Sequence, residues 1–572
     1  MLDKFPLYQD RQFVPETIDL TDLRAIEGLF ERLLALDIHS AEVLVQWVLD
    51  RSELEAALHE RGAILYIRMT CQTDDAKRVQ RYKDFIETIV PATKIFEDRL
   101  NKRYLQELKR FSMDQDRFSV YTRAIRTDVE LFTAKNVGLQ TKVELLSQAY
   151  QGICGSIMVE FEGKERTVQE MGKFLLEPQR DLRERAWRAL SQRLLKERTK
   201  LDELFNQMLE LRNEIGKNAG FLNFRDFKFR SLHRFDYGPS ECRQYHDSIE
   251  RLVVPLWNQI LRKRKAQMKL EQLRPWDTAA DPFGRSPLKP FEDVKDLIEG
   301  CREIFSRVDK DLGAQFSEMA GTGLLDLVSR KGKAPGGYQS TLDECRKPFI
   351  FMNAVGIDHD VRTLLHEGGH AFHALACAHE PILDYRHGPM EFNEVASMGM
   401  ELLADRHLDV FYGKEDERRS RIKHLEDVIF TLIWVATIDA FQHWIYENPG
   451  HSVHERRKVW LTLHERFNGD VIDWSGLEDE RAVLWHRQLH VFEAPFYYIE
   501  YGVAQLGALQ LWMNSRQNFK KTIQDYRNAL SLGGSRPLPE LFEAAGLRFD
   551  FSEKIIDPLM KEVQKELTRI SG

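Results

Sequence analysis

From Thr21 to about Arg212 apolar residues recur three and four positions apart, Leu, Glu, Arg and Lys dominate, and Pro is scarce. That is the period of amphipathic helices, carried by runs such as L-F-E-R-L-L-A-L, V-L-V-Q-W-V-L and F-L-L-E-P-Q-R-D-L-R-E-R-A-W-R-A-L. The stretch S-I-M-V-E-F-E-G-K-E-R-T-V-Q-E interrupts it with extended chain around Gly163. Between Asn218 and Pro239 aromatics and Arg accumulate, either to line a cleft or to pack one helix layer on another. Prolines crowd Leu273 to Pro290 and predict a loop, and a helix is expected from Phe291 to Leu312. The glycine-rich run S-R-K-G-K-A-P-G-G-Y-Q-S-T then leads to P-F-I-F-M-N, Pro348 to Asn353, the clearest strand in the chain. An exposed edge on that strand would suit an extended peptide backbone, whereas a core strand of a small sheet would not. Helix-length patterns follow at Asp358–Ala378, Met390–Leu408 and Val428–Tyr446, with a helix-like segment around Pro495. The expected class is mainly α with a small β-sheet.

Composition narrows the function classes. The 43% hydrophobic and 30% charged residues are those of a soluble globular chain with a large core, and 572 residues admit several domains. Asp and Glu outnumber Lys and Arg by 90 to 82, a net charge of −8, which argues against nucleic acid as the main partner. Cys71, Cys154, Cys242, Cys301, Cys345 and Cys377 are scattered without a C-x-x-C pair and read as thiols in a reducing compartment. The opening M-L-D-K-F-P-L-Y-Q-D-R-Q-F has no secretory apolar core, and Asp439, Gln442 and His443 interrupt the Val428–Tyr446 run before it reaches membrane-spanning length. No membrane span and a cytoplasmic location are therefore expected.

The stretch D-H-D-V-R-T-L-L-H-E-G-G-H-A-F-H-A-L-A-C-A concentrates the chemistry. It contains H-E-x-x-H, and on a helix the i, i+4 spacing stacks His366 over His370 so that both imidazoles converge on one metal ion. Glu367 lies beside that point and can take a proton from a water at the metal without being a ligand. The flanks Val361, Leu364, Leu365, Ala371, Phe372, Ala374 and Leu375 are apolar, which buries the helix. Gly368 and Gly369 each cost about 1 kcal/mol against Ala inside a helix, so substrate or a strand is expected to approach that backbone closely.

Two histidines and a water leave an open zinc site one protein ligand short. Glu394, near the start of the next helix and beside its apolar face of Val395, Met398, Leu402 and Leu403, is the expected third ligand. Glu391 and Glu401 compete with it, and His373 or His387 would make a three-histidine site. Farther on, His486, His490, Tyr497, Tyr498 and Tyr501 gather around Pro495, offering neutral donors for the oxyanion of peptide hydrolysis.

The blocks H-E-G-G-H-A-F-H at 366–373, F-N-E-V-A-S-M at 392–398 and H-V-F-E-A-P-F-Y-Y-I-E-Y-G at 490–502 resemble the oligoendopeptidase F branch of the thimet-oligopeptidase-like zinc metallopeptidases. The likeness runs from F-V-P-E-T-I-D-L to the end and is tightest from Gly336 onward. It implies a two-part helical ellipsoid, with an N-terminal helical region over 1–190 and a catalytic region over 191–572 enclosing a deep channel that admits short peptides and excludes folded proteins. It also implies one Zn2+ on His366, His370 and Glu394, Glu367 as general base, and His490, Tyr498 and Tyr501 as transition-state donors. The implied activity is endopeptidase cleavage. A dipeptidyl carboxypeptidase with the same zinc set and a non-catalytic helical peptide-binding protein are the alternatives.

Overall fold

The computed structural model describes residues 11–334 and 336–571; the opening residues read for a leader, and Pro335 of the glycine-rich run, lie outside them. The described chain is mainly helical with two small sheets, as expected. It divides into two compact units, each assembled from separate stretches: residues 1–141, 290–412 and 507–549 in the first, and 142–289, 413–506 and 550–572 in the second. The boundary expected near residue 190 falls inside the Arg180–Leu195 helix of the second unit.

The second unit carries the extended stretch around Gly163 as a hairpin, β1 (Met158–Phe161) antiparallel to β2 (Lys164–Thr167). Glu162 and Gly163 both have positive φ, 51° and 69°, as a two-residue turn between right-twisted strands requires. Its longest helix, Lys414–Glu447, contains the Val428–Tyr446 run. This is the one described helix long and apolar enough to cross a membrane, yet 72% of its apolar window is buried within the protein, as for a core helix.

The first unit holds a helical core in which Leu33, Leu44, Val48, Leu54 and Leu100 are wholly inaccessible. Beside it lies a three-stranded sheet in the order β3 (Leu325–Val328), β5 (Lys347–Ala354), β4 (Tyr338–Leu342). β5 runs parallel to β3 and antiparallel to β4. Its unbroken apolar run follows from that central position: Phe349, Ile350 and Phe351 are inaccessible on both faces, each burial contributing about 1.5–3 kcal/mol. The predicted strand therefore has no free edge; the edges belong to β3 and β4.

The chain leaves β5 through Gly356, whose φ of 90° suits glycine, and enters the Asp358–Ala376 helix. Asp360 fixes that start: its carboxylate accepts the backbone N–H groups of Val355, Gly356 and Ile357 at 2.7–3.0 Å, and its charge suits a helix N-terminus. The helix expected over Phe291–Leu312 is two, Val294–Val308 and Lys310–Gly321. Asp309 divides them by accepting from the backbone of Asp311 and Leu312, which caps the second helix and ends the first.

Candidate metal centre

The metal-site helix Asp358–Ala376 packs most closely against the Met390–Ala404 helix, and Gly369 sets how closely. A Cβ on Gly369 would lie 2.5 Å from the Ala396 carbonyl oxygen and 2.6 Å from the Ser397 Cα. A Cβ on Gly368 would lie 2.5 Å from the ring of Phe305, itself wedged edge-on against Phe372. The close approach expected from these glycines is thus made by a neighbouring helix and a core ring, not by substrate or strand. Its result is that Glu394 reaches the histidine face.

His366, His370 and Glu394 bring one ligand atom each within 4.8 Å of one another. The Glu394 Oε2 lies 3.4 Å from His366 Nε2 and 3.6 Å from His370 Nε2. Two imidazole nitrogens and one carboxylate oxygen are the protein donor set of an open zinc site, so the residues fit the metal that the motif implies. Glu394 is buried and Ser397 donates its hydroxyl to Oε2 at 3.1 Å. Burial works against a charge on His366, but Glu394 and Glu401 raise its pKa well above the usual value. Burial holds His370 down at about 4, against the pull of Glu394. A proton and a cation therefore compete for the space between these three side chains.

Glu401 does not join the ligand group. It sits seven residues after Glu394 on the same helix face, and its Oε1 accepts from His366 Nδ1 at 2.7 Å. Once the proton on the Glu394 side is displaced, that contact keeps the ring proton on Nδ1 and turns the Nε2 lone pair toward Glu394, the usual way a carboxylate orients a ligating imidazole. Its position seven residues on from Glu394 was the signal for this role. Glu391 and His373 are buried in the core, His373 packing edge-on against Phe392. His387 pairs with Asp343 at 2.9 Å.

Glu367 follows His366 but stays outside the ligand group. Burial pushes its carboxyl up to about 7, with His366 opposing and the Gln339 backbone of β4 also stabilising the charged form. A carboxyl balanced near neutrality can both accept and return a proton.

The remaining predicted residues lie in the second unit. The segment around Pro495 is not one helix: a turn at Leu484–Arg487 and a short helix at Leu489–Glu493 are followed by irregular chain until Ile499. Pro495 has no N–H and disfavours a helical Ala494, which adopts φ −131° and ψ 68°. Phe496 then takes φ 66°, a strained value for a bulky residue, held by Gln442 accepting its N–H at 2.8 Å and by Arg234 donating to its carbonyl. The bend gathers Tyr497, Tyr498 and Tyr501 around the His490 ring, with centroids 5.3, 5.1 and 5.4 Å away. The Tyr501 hydroxyl is 3.2 Å from His490 Nε2. Burial raises the Tyr498 hydroxyl above its usual pKa, with Gln488 and Trp434 opposing, so it stays a neutral donor. His486 stands apart, paired with Asp202 at 3.2 Å.

This unit also buries Cys242, Asp439 and His443 together. Asp439 is already shared between His246, at 2.8 Å, and His443, at 3.3 Å. Burial keeps the Cys242 thiol protonated, which suits a core polar network better than a metal.

The model of peptidase family M3 matches residues 174–560, and the chain belongs to that family. Within the family it is like oligoendopeptidase F. It is 24% identical over 301 residues to the oligoendopeptidase F homolog of Borreliella burgdorferi, covering 50% of this chain and 49% of that protein. To the oligopeptidase PepF of Bacillus subtilis it is 24% identical over 327 residues, 54% of this chain and 47% of that one. The chain spans about half the length of these curated relatives it matches. Among solved structures, PZ peptidase A with inhibitor 2 superposes with a TM-score of 0.90 at 27% identity, over 98% of this chain and 99% of the other.

Proposed function

We propose that this M3 peptidase is a zinc-dependent endopeptidase that cleaves internal bonds of short unfolded peptides, with one Zn2+ held by His366, His370 and Glu394. The observation that carries the proposal is the convergence of those three ligand atoms within 4.8 Å, with Glu367 beside them and outside the ligand set. The names of the relatives, oligopeptidase and oligoendopeptidase, support oligopeptides as the substrate class.

Zinc held by His366, His370 and Glu394 would supply Lewis acidity to a scissile carbonyl and an attacking water. Glu367 takes the proton of the attacking water and delivers it to the leaving amide nitrogen. Glu401 keeps His366 oriented through Nδ1. His490, Tyr498 and Tyr501 donate hydrogen bonds to the charge that develops on the substrate oxygen.

Metal analysis and product mapping test this reading together. Purified protein is expected to hold one zinc per chain, lost in His366→Ala and Glu394→Ala, and to cut a peptide blocked at both ends at internal bonds. Release of C-terminal dipeptides only, from the same peptide with a free C-terminal carboxylate while the blocked one stays intact, would assign a dipeptidyl carboxypeptidase instead. Zinc-loaded protein that cleaves neither substrate would leave a peptide-binding protein.

A further inference from the structure

The geometry points to Trp434 and Gln488 as positioning residues that hold His490 as a neutral imidazole with its proton on Nε2. The Trp434 indole Nε1–H donates to Gln488 Oε1 at 2.9 Å. An indole can only donate, so the amide of Gln488 must turn its oxygen to Trp434 and its NH2 the other way. That NH2 lies 2.9 Å from His490 Nδ1. An amide nitrogen can only donate as well, so Nδ1 must be the bare, accepting nitrogen, and the ring proton sits on Nε2. Nε2–H then points toward the Tyr501 hydroxyl, 3.2 Å away.

Each link is anchored. Trp434 stacks on Phe430 and meets Trp460 edge-on, with centroids 6.0 and 5.8 Å away. Gln488 is the junction residue between the Leu484–Arg487 turn and the Leu489–Glu493 helix, so its side chain leaves a backbone fixed on both sides. His490 is held among the rings of Tyr497, Tyr498 and Tyr501. The chemical consequence rests on the proposed donor role of His490. An Nε2–H tautomer offers a hydrogen bond to a developing oxyanion, whereas an Nδ1–H tautomer would turn a lone pair toward that charge. The relay assigns His490 to oxyanion donation and excludes it as the general base, which leaves base duty to Glu367.

Gln488→Glu inverts the relay, because a carboxylate accepts from Nδ1–H and draws the proton to that nitrogen. Gln488→Met keeps the length and removes the donor. Histidine-ring 15N NMR of zinc-loaded protein, with His490 identified by its absence in His490→Ala, reads the tautomer without reference to activity. Neutral Nε2–H is expected in the wild type, and a proton on Nδ1 in Gln488→Glu. In that variant kcat is expected to fall about 10- to 100-fold as pH rises through the range where its imidazolium loses the Nε2 proton, with KM and zinc content unchanged. The wild type should be flat over that range, and Gln488→Met and Trp434→Phe should each lose a few-fold in kcat. Wild-type His490 found as Nδ1–H or imidazolium at neutral pH overturns the relay whatever the kinetics. Tautomers that shift as expected while kcat stays at the wild-type value would uphold the relay and refute the donor role of His490.

Discussion

Gly369→Ala would place a methyl group 2.5 Å from the Ala396 carbonyl oxygen and 2.6 Å from the Ser397 Cα. Both neighbours are backbone, so no rotamer change relieves the clash. For the nearer contact to reach 3.4 Å, the Met390–Ala404 helix must retreat by roughly 0.9 Å, since interiors packed this densely leave no slack. Glu394 rides on that helix less than one turn away and is now 3.4 and 3.6 Å from the two imidazole nitrogens. A metal site tolerates about 0.2 Å, so the third ligand moves out of range. Overpacking costs about 1–3 kcal/mol while alanine returns about 1 kcal/mol of helix propensity, leaving a net loss of about 0–2 kcal/mol. The expected signature is therefore selective: a small change in melting temperature for the zinc-free protein, with zinc affinity down about 10- to 100-fold or more. Chelator competition gives the affinity and melting with and without zinc gives the stability. Wild-type zinc affinity in a folded Gly369→Ala variant would refute the argument that this glycine brings Glu394 to the histidines.

Glu401→Gln removes the carboxylate that accepts from His366 Nδ1, and is expected to weaken zinc about 10- to 100-fold in chelator competition while leaving one ion per chain at saturation. Asp326 gives a pH test away from the metal. Opposed by burial, its bonds to Arg330, Cys71 and Lys333 hold its carboxyl down at about 2, below its unfolded value. Its contribution is therefore complete above about pH 4 and lost as pH falls toward 2, worth roughly 1–2 kcal/mol once solvent screening is allowed for. Urea titrations should find Asp326→Asn less stable than wild type at pH 6, with the gap reduced to roughly half at pH 3 and closing only as pH falls through about 2; a gap at pH 3 as large as at pH 6 would contradict that origin.

What the sequence makes legible is what chain geometry makes local. His366 and His370 stack because they share one helix, and their spacing alone announces it. Glu394 follows from its place on the next apolar face, and the apolar run of Lys347–Ala354 announces a strand. The roles that need a distant partner are not legible. Gly368 and Gly369 signal a close neighbour, but Phe305 and the Ala396 backbone are defined only by tertiary packing. The same run of apolar residues fits an edge or a centre, and only the pairing with β3 and β4 places it at the centre. Trp434 lies 54 residues from Gln488, and neither carries a motif. Pro495 does carry a local signal against a continuous helix, and the strain at Phe496 is its visible consequence.

The most direct test of the central claim is Glu367→Gln, measured for zinc content and for cleavage of one internally quenched peptide. The substitution keeps the size of the side chain and leaves His366, His370 and Glu394 in place. The expected result is one zinc per chain with kcat reduced about 10²- to 10⁴-fold, the loss of a general base. A zinc-loaded Glu367→Gln protein that cleaves the peptide at the wild-type rate would contradict the account.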